Sequence, residues 1–231
     1  MREYLPGCII NLLFELDHQP NMNNDLVSQI LSGIKLSEEA LEPYVFTNHP
    51  VNESYGRKLI WDNGDYKILL MTWHPGDFTA IHNHGYTEWG GVYFFGEATH
   101  RLYHVENNEL TLIQKNVFPN GQVASICGDL THLMGNAGNR DIITLHVYGS
   151  NTRKENVSED AKVYVPEFQK VFTTMGSAYL NMNKALILSE MPFENIEHDL
   201  LADYFSLVKP FYERNKMAGV LKRMDNYLNH N

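Results

Sequence analysis

Cysteine is scarce in this chain, with Cys8 and Cys127 the two examples among 231 residues. They stand far apart, and a secreted fold stapled by disulfides would carry more. Long apolar runs are missing too. The run Cys8–Leu13 is followed at once by Glu15 and Asp17, too short to span a bilayer and without a small-residue cleavage pattern. A reduced, cytoplasmic protein with no membrane partner is therefore expected. Positive charge is in deficit: 18 Lys and Arg against 28 Asp and Glu give a formal net charge of −10, spread along the chain. That surface repels a phosphate backbone, so no nucleic-acid partner is expected. Apolar and charged fractions of 43% and 20% exclude a disordered chain.

What is there falls into three regions, expected to form one structural domain. Residues 1–50 read as a helical segment packed on the rest. Asn24-Asp25 can cap LVSQIL, and Ser37 can cap EEALEPY before Pro43 breaks it. Residues 51–170 carry short β-rich runs: RKLIW, DYKILLMTW, GVYFF, THRLYHV, LTLIQKNVF, QVASIC, DIITLHVY and, after a polar linker NTRKENVSED, AKVYV. Turn signals punctuate them at Asn63-Gly64, Pro75-Gly76, Asn107-Asn108 and Pro119-Asn120-Gly121, the pattern of a sandwich or barrel. Residues 171–231 read as a C-terminal helical extension. From Asn195, Ile196, Leu200, Leu201, Tyr204, Phe205 and Val208 share one helical face, and Pro210 marks a break before a second helix. That face suits packing on the barrel or on a second subunit, so monomer and homodimer both stay open.

Chemistry concentrates in HNHGYTEWGG, residues 82–91. In a strand, side chains at i and i+2 lie on one face, so His82 and His84 can converge on one ion. With Gly76 ahead, and with Gly121, His132 and Asn136 in GQVASICGDLTHLMGN, these segments resemble the paired motifs of the cupin barrel. That resemblance implies a mainly β fold, a double-stranded β-helix or jelly-roll barrel with helices at both ends, and His132 as third metal ligand. Cys127 and Asp129 stand where the second motif usually has proline and glycine. Glu88 satisfies the spacing of the motif's carboxylate. Gly96, however, follows Trp89 rather than Glu88 by the required interval. If Gly96 sets the register, Trp89 points inward beside the metal and Glu88 outward; a bulge in the glycine-rich tail would restore Glu88. The preferred ligand set is His82, His84 and His132 without a carboxylate.

Three neutral imidazoles leave cis positions open on iron(II) for a chelating substrate and oxygen. Further segments resemble the cysteine dioxygenases, a family of thiol dioxygenases: Tyr55-Gly56-Arg57-Lys58-Leu59, the approach MTWHPGDFTAIHNH, and Thr144-Leu145-His146-Val147-Tyr148. The resemblance implies an Fe(II) enzyme that adds both atoms of O2 to the sulfur of a small thiol, with L-cysteine as the expected substrate. It implies that Arg57 grips a carboxylate with help from Tyr55, and that Tyr148 works near substrate and oxygen with His146 orienting it. Alternation along the strand places Thr144, His146 and Tyr148 on one face, where a hydroxyl–imidazole–phenol relay can form. Trp89 stands where mammalian members carry a cysteine crosslinked to the tyrosine, so no such thioether is expected, and the indole is expected to bound the substrate pocket. Other readings are a dioxygenase for 3-mercaptopropionate or cysteamine, a non-catalytic metal- or ligand-binding cupin, and a zinc or nickel isomerase. His100 and His104 are set aside as members of an exposed hairpin, as are His18, His49, His74, His198 and His230.

Overall fold

A computed structural model of the protein describes residues 4–107, 109–152, 154–193 and 196–230, the last without its side chain. Two antiparallel sheets form its body. The first contains, in spatial order, β1 (Gly56–Asp62), β2 (Tyr66–Trp73), β9 (Ile142–Gly149), β4 (Trp89–Phe95) and β7 (Val123–Ile126). The second contains β12 (Ile187–Pro192), β11 (Lys170–Thr174), β10 (Ala161–Val165), β3 (Ile81–His82), β8 (Thr131–Gly135), β5 (Ala98–Glu106) and β6 (Glu109–Phe118). Many neighbours, such as β2 and β9 or β3 and β8, are distant in sequence. The chain passes repeatedly between sheets and wraps the double-stranded β-helix of a cupin barrel.

Strands β2 and β9 are buried along their whole length. Their alternate residues serve two separate cores. Leu69, Met71 and Trp73 point into the barrel, whereas Tyr66, Ile68 and Leu70 point outward beneath the N-terminal helices. Helix α1 (Gly7–Asp17) contributes Ile9, Leu12, Leu13 and Leu16 to that outer core, and α2 (Asn24–Gly33) contributes Val27, Ile30 and Leu31. Burying each such side chain contributes about 1.5–3 kcal/mol, which docks the 1–50 segment on the first sheet. The α2 cap is Asn23, whose side chain accepts from Leu26 N–H, one residue ahead of the expected Asn24. Asn24 instead accepts from Gly90 N–H and ties the helix to β4. Ser37 caps α3 (Glu38–Leu41) as expected.

Beyond β9 the structure differs from the expectation in three ways. The stretch expected to open a helical extension at 171 is strand: β11 and β12 add a hairpin to the second sheet. Their residues alternate poorly, and β12 is an edge exposed along most of its length, so period-2 patterning is weak there. Pro210 does not end a helix; α4 runs His198–Arg214 through it, and the break falls at Asn215–Met217 before α5 (Ala218–His230). Phe211 and Tyr212, just past the proline, are fully buried, and their burial offsets the lost backbone bond. The expected polar linker packs in part, with Val157 in the barrel core and Ser158 buried while Asn151, Thr152, Glu155 and Asp160 stay exposed. The expected turn residue Asn108, the helix onset at Asn195 and Arg153 of the linker lie outside the described residues.

Beneath α4, Glu167 is fully buried and meets the hydroxyls of Tyr204 and Tyr212. The Tyr212 hydroxyl also faces the Leu180 carbonyl. Its single proton cannot satisfy both acceptors, so a protonated Glu167 completes the set. Burial pushes the Glu167 carboxyl up to about 7 against the lowering pull of the tyrosines. Because the folded value lies above the unfolded one, this group's stabilising contribution is complete below pH 4.5 and fades as pH rises to 7. Glu167→Gln stays neutral throughout. Its stability relative to wild type should rise between pH 5 and pH 8 by on the order of 3 kcal/mol, measured by urea denaturation at both pH values; a constant difference would contradict the assignment.

Candidate metal centre

His82 closes β3, and its Cα pairs directly with that of His132 on β8. The two-residue β3 ends there, so His84 lies in the following turn, where its N–H donates to the Gly128 carbonyl at 3.2 Å. Gly85 makes that turn with φ of +57°, and a Cβ there would sit 1.9 Å from the Glu159 carbonyl oxygen. Glycine alone lets the backbone at Glu159 and Ala161 approach the motif this closely. The ring centroids of His82, His84 and His132 are separated by 4.6–5.1 Å. One nitrogen from each falls within 4.8 Å of the others, all three side chains being buried, and among the described residues no carboxylate joins the group.

Hydrogen bonds set the direction of each imidazole. His82 Nδ1 donates to the Ala80 carbonyl at 3.0 Å, which leaves Nε2 as a free lone pair. His132 Nδ1 faces His100 Nε2 at 2.8 Å, and His132 Nε2 faces His84 Nε2 at 3.2 Å. With Nδ1 donating to His100, His132 Nε2 is also a lone pair. Burial holds His82 down to about 4 and His84 and His132 well below the usual histidine range, so all three are neutral at pH 7. Converging lone pairs repel one another unless a cation lies among them. Two imidazole nitrogens each about 2.0–2.1 Å from one ion would stand roughly 3 Å apart, so the donor set fits a divalent metal.

Glu88 is exposed; its carboxylate accepts from Asn151 N–H at 2.7 Å and lies outside the histidine group. Trp89 requires a correction. Its indole is buried, but in the outer core with Tyr66, Ile68, Leu145 and the N-terminal helices, and it does not line the cavity beside the histidines. It lies flat over Gly149, its register partner, where any Cβ would fall 2.1 Å from the ring. Gly90, not Trp89, is the register partner of Tyr148. Gly96 misled the register reading because it sits past the end of β4 with φ of +121°, in a turn that imposes no alternation on the strand.

The narrow cavity is lined by Tyr55, His82, His84, His132, His146 and Tyr148 among others. Thr144, His146 and Tyr148 form the chain of contacts their alternation allows. Trp73 Nε1 donates to Thr144 Oγ1 at 2.9 Å, Thr144 Oγ1 meets His146 Nε2 at 2.7 Å, and His146 Nδ1 meets the Tyr148 hydroxyl at 2.8 Å. Trp73 can only donate, and of the two arrangements that remain, the one in which Thr144 gives its proton to His146 leaves no buried Thr144 proton without an acceptor. Thr144 donates to His146 Nε2, and His146 Nδ1–H donates to the Tyr148 oxygen. The Tyr148 O–H is then free to point into the cavity. Burial holds His146 down to about 3 and raises Tyr148, so the imidazole stays neutral and the phenol keeps its proton. Tyr55 stacks on Trp73 and accepts from Ala178 N–H. Arg57 is half-buried one strand away, with its charge bearing on Tyr55, His146 and Tyr148 and its Nε buried without a partner.

Two contributors escaped the sequence reading. Trp73 donates to Thr144 at the head of the relay, and His100 meets His132. His100 and His104 do share a strand face, but β8 pairs with β5 no further than Tyr103, so His100 is buried and His104 exposed. Alternation reveals a face, not how far along it the barrel extends.

The profile of the family described as cysteine dioxygenase type I matches residues 6–156. The chain belongs to the cysteine dioxygenase type I family. Solved structures resemble it more loosely. A double-stranded β-helix protein from Klebsiella pneumoniae is 19% identical with TM-score 0.37, over 52% of this chain and 93% of that one. An oxalate oxidase is 18% identical with TM-score 0.42, over 58% and 65%. An RmlC-like cupin from Methanocaldococcus jannaschii is 13% identical with TM-score 0.36, over 47% and 89%. No described helix is long and apolar enough to cross a membrane.

Because Trp89 is a core residue, Trp89→Ala should cost about 3–5 kcal/mol of stability while the purified protein retains its metal stoichiometry, read by denaturation and by metal analysis. Replacing His100 by Leu should weaken metal affinity about 10–100-fold, measured by competition with a chelator; unchanged affinity would remove His100 from the centre.

Proposed function

We propose that the protein is a non-haem iron(II) thiol dioxygenase acting on a small carboxylate-bearing thiol, with L-cysteine the reference substrate and 3-mercaptopropionate the nearest alternative. The observation that carries this reading is the directed chain Trp73–Thr144–His146–Tyr148, which ends in a hydroxyl proton delivered beside three converging imidazoles. An isomerase or a passive binding site has no evident use for a phenol held protonated at that place, whereas oxygen transfer to sulfur builds negative charge on oxygen.

The balanced reaction is R–S⁻ + O2 → R–SO2⁻, with sulfur oxidised and both oxygen atoms retained. His82, His84 and His132 would hold the metal. Bound iron(II) supplies thiolate affinity and the electron steps that let dioxygen react with a closed-shell sulfur. The remaining work falls to the chain. Arg57 offers a fixed fork for the substrate carboxylate, and Tyr55, two residues earlier, borders the cavity beside it. Tyr148 directs a proton at the developing oxyanion, and His146 keeps that proton pointed inward by donating to the phenol oxygen. Burial of the cavity, with Ser158 and Gly176 on its wall, excludes water that would compete for the centre.

Protein purified and loaded with iron without oxygen should consume one O2 per thiol and release the sulfinic acid, read with an oxygen electrode and by product analysis. His132→Ala should lose iron and activity together, and Tyr148→Phe should keep iron while kcat falls on the order of tenfold to a hundredfold. Iron-loaded protein that consumed no oxygen with any small thiol would sink the proposal in favour of a non-catalytic ligand-binding cupin.

A further inference from the structure

The wall beside the histidines holds more positive charge than one carboxylate would neutralise. Lys67 is the register partner of Tyr148 across β2 and β9, and Arg57 is the register partner of Met71 across β1 and β2. Tyr148 and Met71 both line the cavity, and among the described residues no aspartate or glutamate does. Among the described residues neither cation forms an ion pair with a carboxylate. Asp62, paired with Lys67 in register, is exposed and accepts from Gly64 N–H instead.

Lys67 is 6% exposed, and its ammonium donates to one neutral group, the Asn156 side-chain oxygen. The same oxygen accepts from Ser158 N–H, which places Lys67 one hydrogen bond from the cavity wall. The Ser158 hydroxyl borders the cavity, is buried and has no partner. Burial and the nearby Arg57 charge hold the Lys67 ammonium down to about 8. A buried ammonium with one amide partner, a guanidinium with an orphaned Nε and an unpaired hydroxyl are each costly alone. An anion reaching two of these groups relieves the cost, and one carboxylate held by Arg57 leaves Lys67 and Ser158 unsatisfied. Two cations against one exposed carboxylate, Asp62, leave a net positive charge that also disfavours a substrate ammonium.

We infer that the site selects a small thiol bearing two anionic oxygen groups, one held by Arg57 and the second by Lys67 with the Ser158 hydroxyl. This rests on the thiol dioxygenase reading and narrows its substrate class. The test uses anaerobically iron-loaded full-length protein with mercaptosuccinate, 3-mercaptopropionate and L-cysteine, together with calorimetry of succinate and propionate on metal-free protein. The expected results are a kcat/KM for mercaptosuccinate at least about tenfold above the other two and binding of succinate but not propionate. Lys67→Met should collapse both preferences, chiefly through KM, and Lys67→Arg should retain much of them. If Lys67→Met fails to fold, the wild-type ratios and the Lys67→Arg protein still decide. Cysteine or 3-mercaptopropionate oxidised as well as mercaptosuccinate, with no selective succinate binding, overturns the inference and leaves the dioxygenase reading intact. Selective succinate binding without oxidation of any thiol overturns the dioxygenase reading and leaves the dianion site standing.

Discussion

The centre depends on a single pairing, His82 against His132, where a two-residue strand meets β8. Both histidines present Nε2 inward because the other ring nitrogen is engaged, by the Ala80 carbonyl in one case and by His100 in the other. Remove either engagement and the tautomer is no longer set, so the lone pairs no longer converge. The rest of the barrel supports this geometry. Gly85 lets the backbone at Glu159 close against the motif, and β9 brings Tyr148 to 5.6 Å from the His84 ring.

Direction, more than proximity, gives the surrounding polar groups their chemical meaning. Trp73 fills one lone pair of Thr144, and the arrangement that finds an acceptor for the Thr144 proton runs on through His146 to Tyr148. Because the imidazole is buried and neutral, this order is stable around pH 7. Of the cations on the same sheet face, Lys67 has one amide partner and Arg57 keeps a buried Nε without one. The polar network is thus complete around the relay and incomplete around Arg57 and Lys67, and incompleteness of that kind marks where a ligand's charge belongs.

The outer layers are joined to the centre by shared strands. The residues of β2 and β9 that face away from the cavity anchor α1 and α2, so the register that presents Thr144, His146 and Tyr148 inward also presents Ile143, Leu145 and Val147 to the helices. Slipping that register by one would exchange the relay for aliphatic side chains. Trp89 belongs to this locking layer. At the other end, Arg101 on β5 pairs with Asp203 on α4 at 2.8 Å, beside the residue that holds His132.

Most of the barrel was legible in the sequence because its strands carry apolar runs bounded by turn residues, and β1, β2, β4–β7, β9 and β10 lie where such runs stand. The histidine triplet was legible because motif spacing records strand and turn lengths, and Thr144, His146 and Tyr148 because a period of two needs no tertiary information. What escaped depends on depth and neighbours. The face of Trp89 was settled by the helices it packs under, and the burial of His100 by where β8 ends. β11 and β12 carry little alternation, and Pro210 persists in a helix because the aromatic rings after it are buried. Local pattern by itself determined which side chains share a face and which segments form strands. Only the folded barrel decided which face looks inward and how deep each residue lies, since burial depends on contacts between segments remote in the chain.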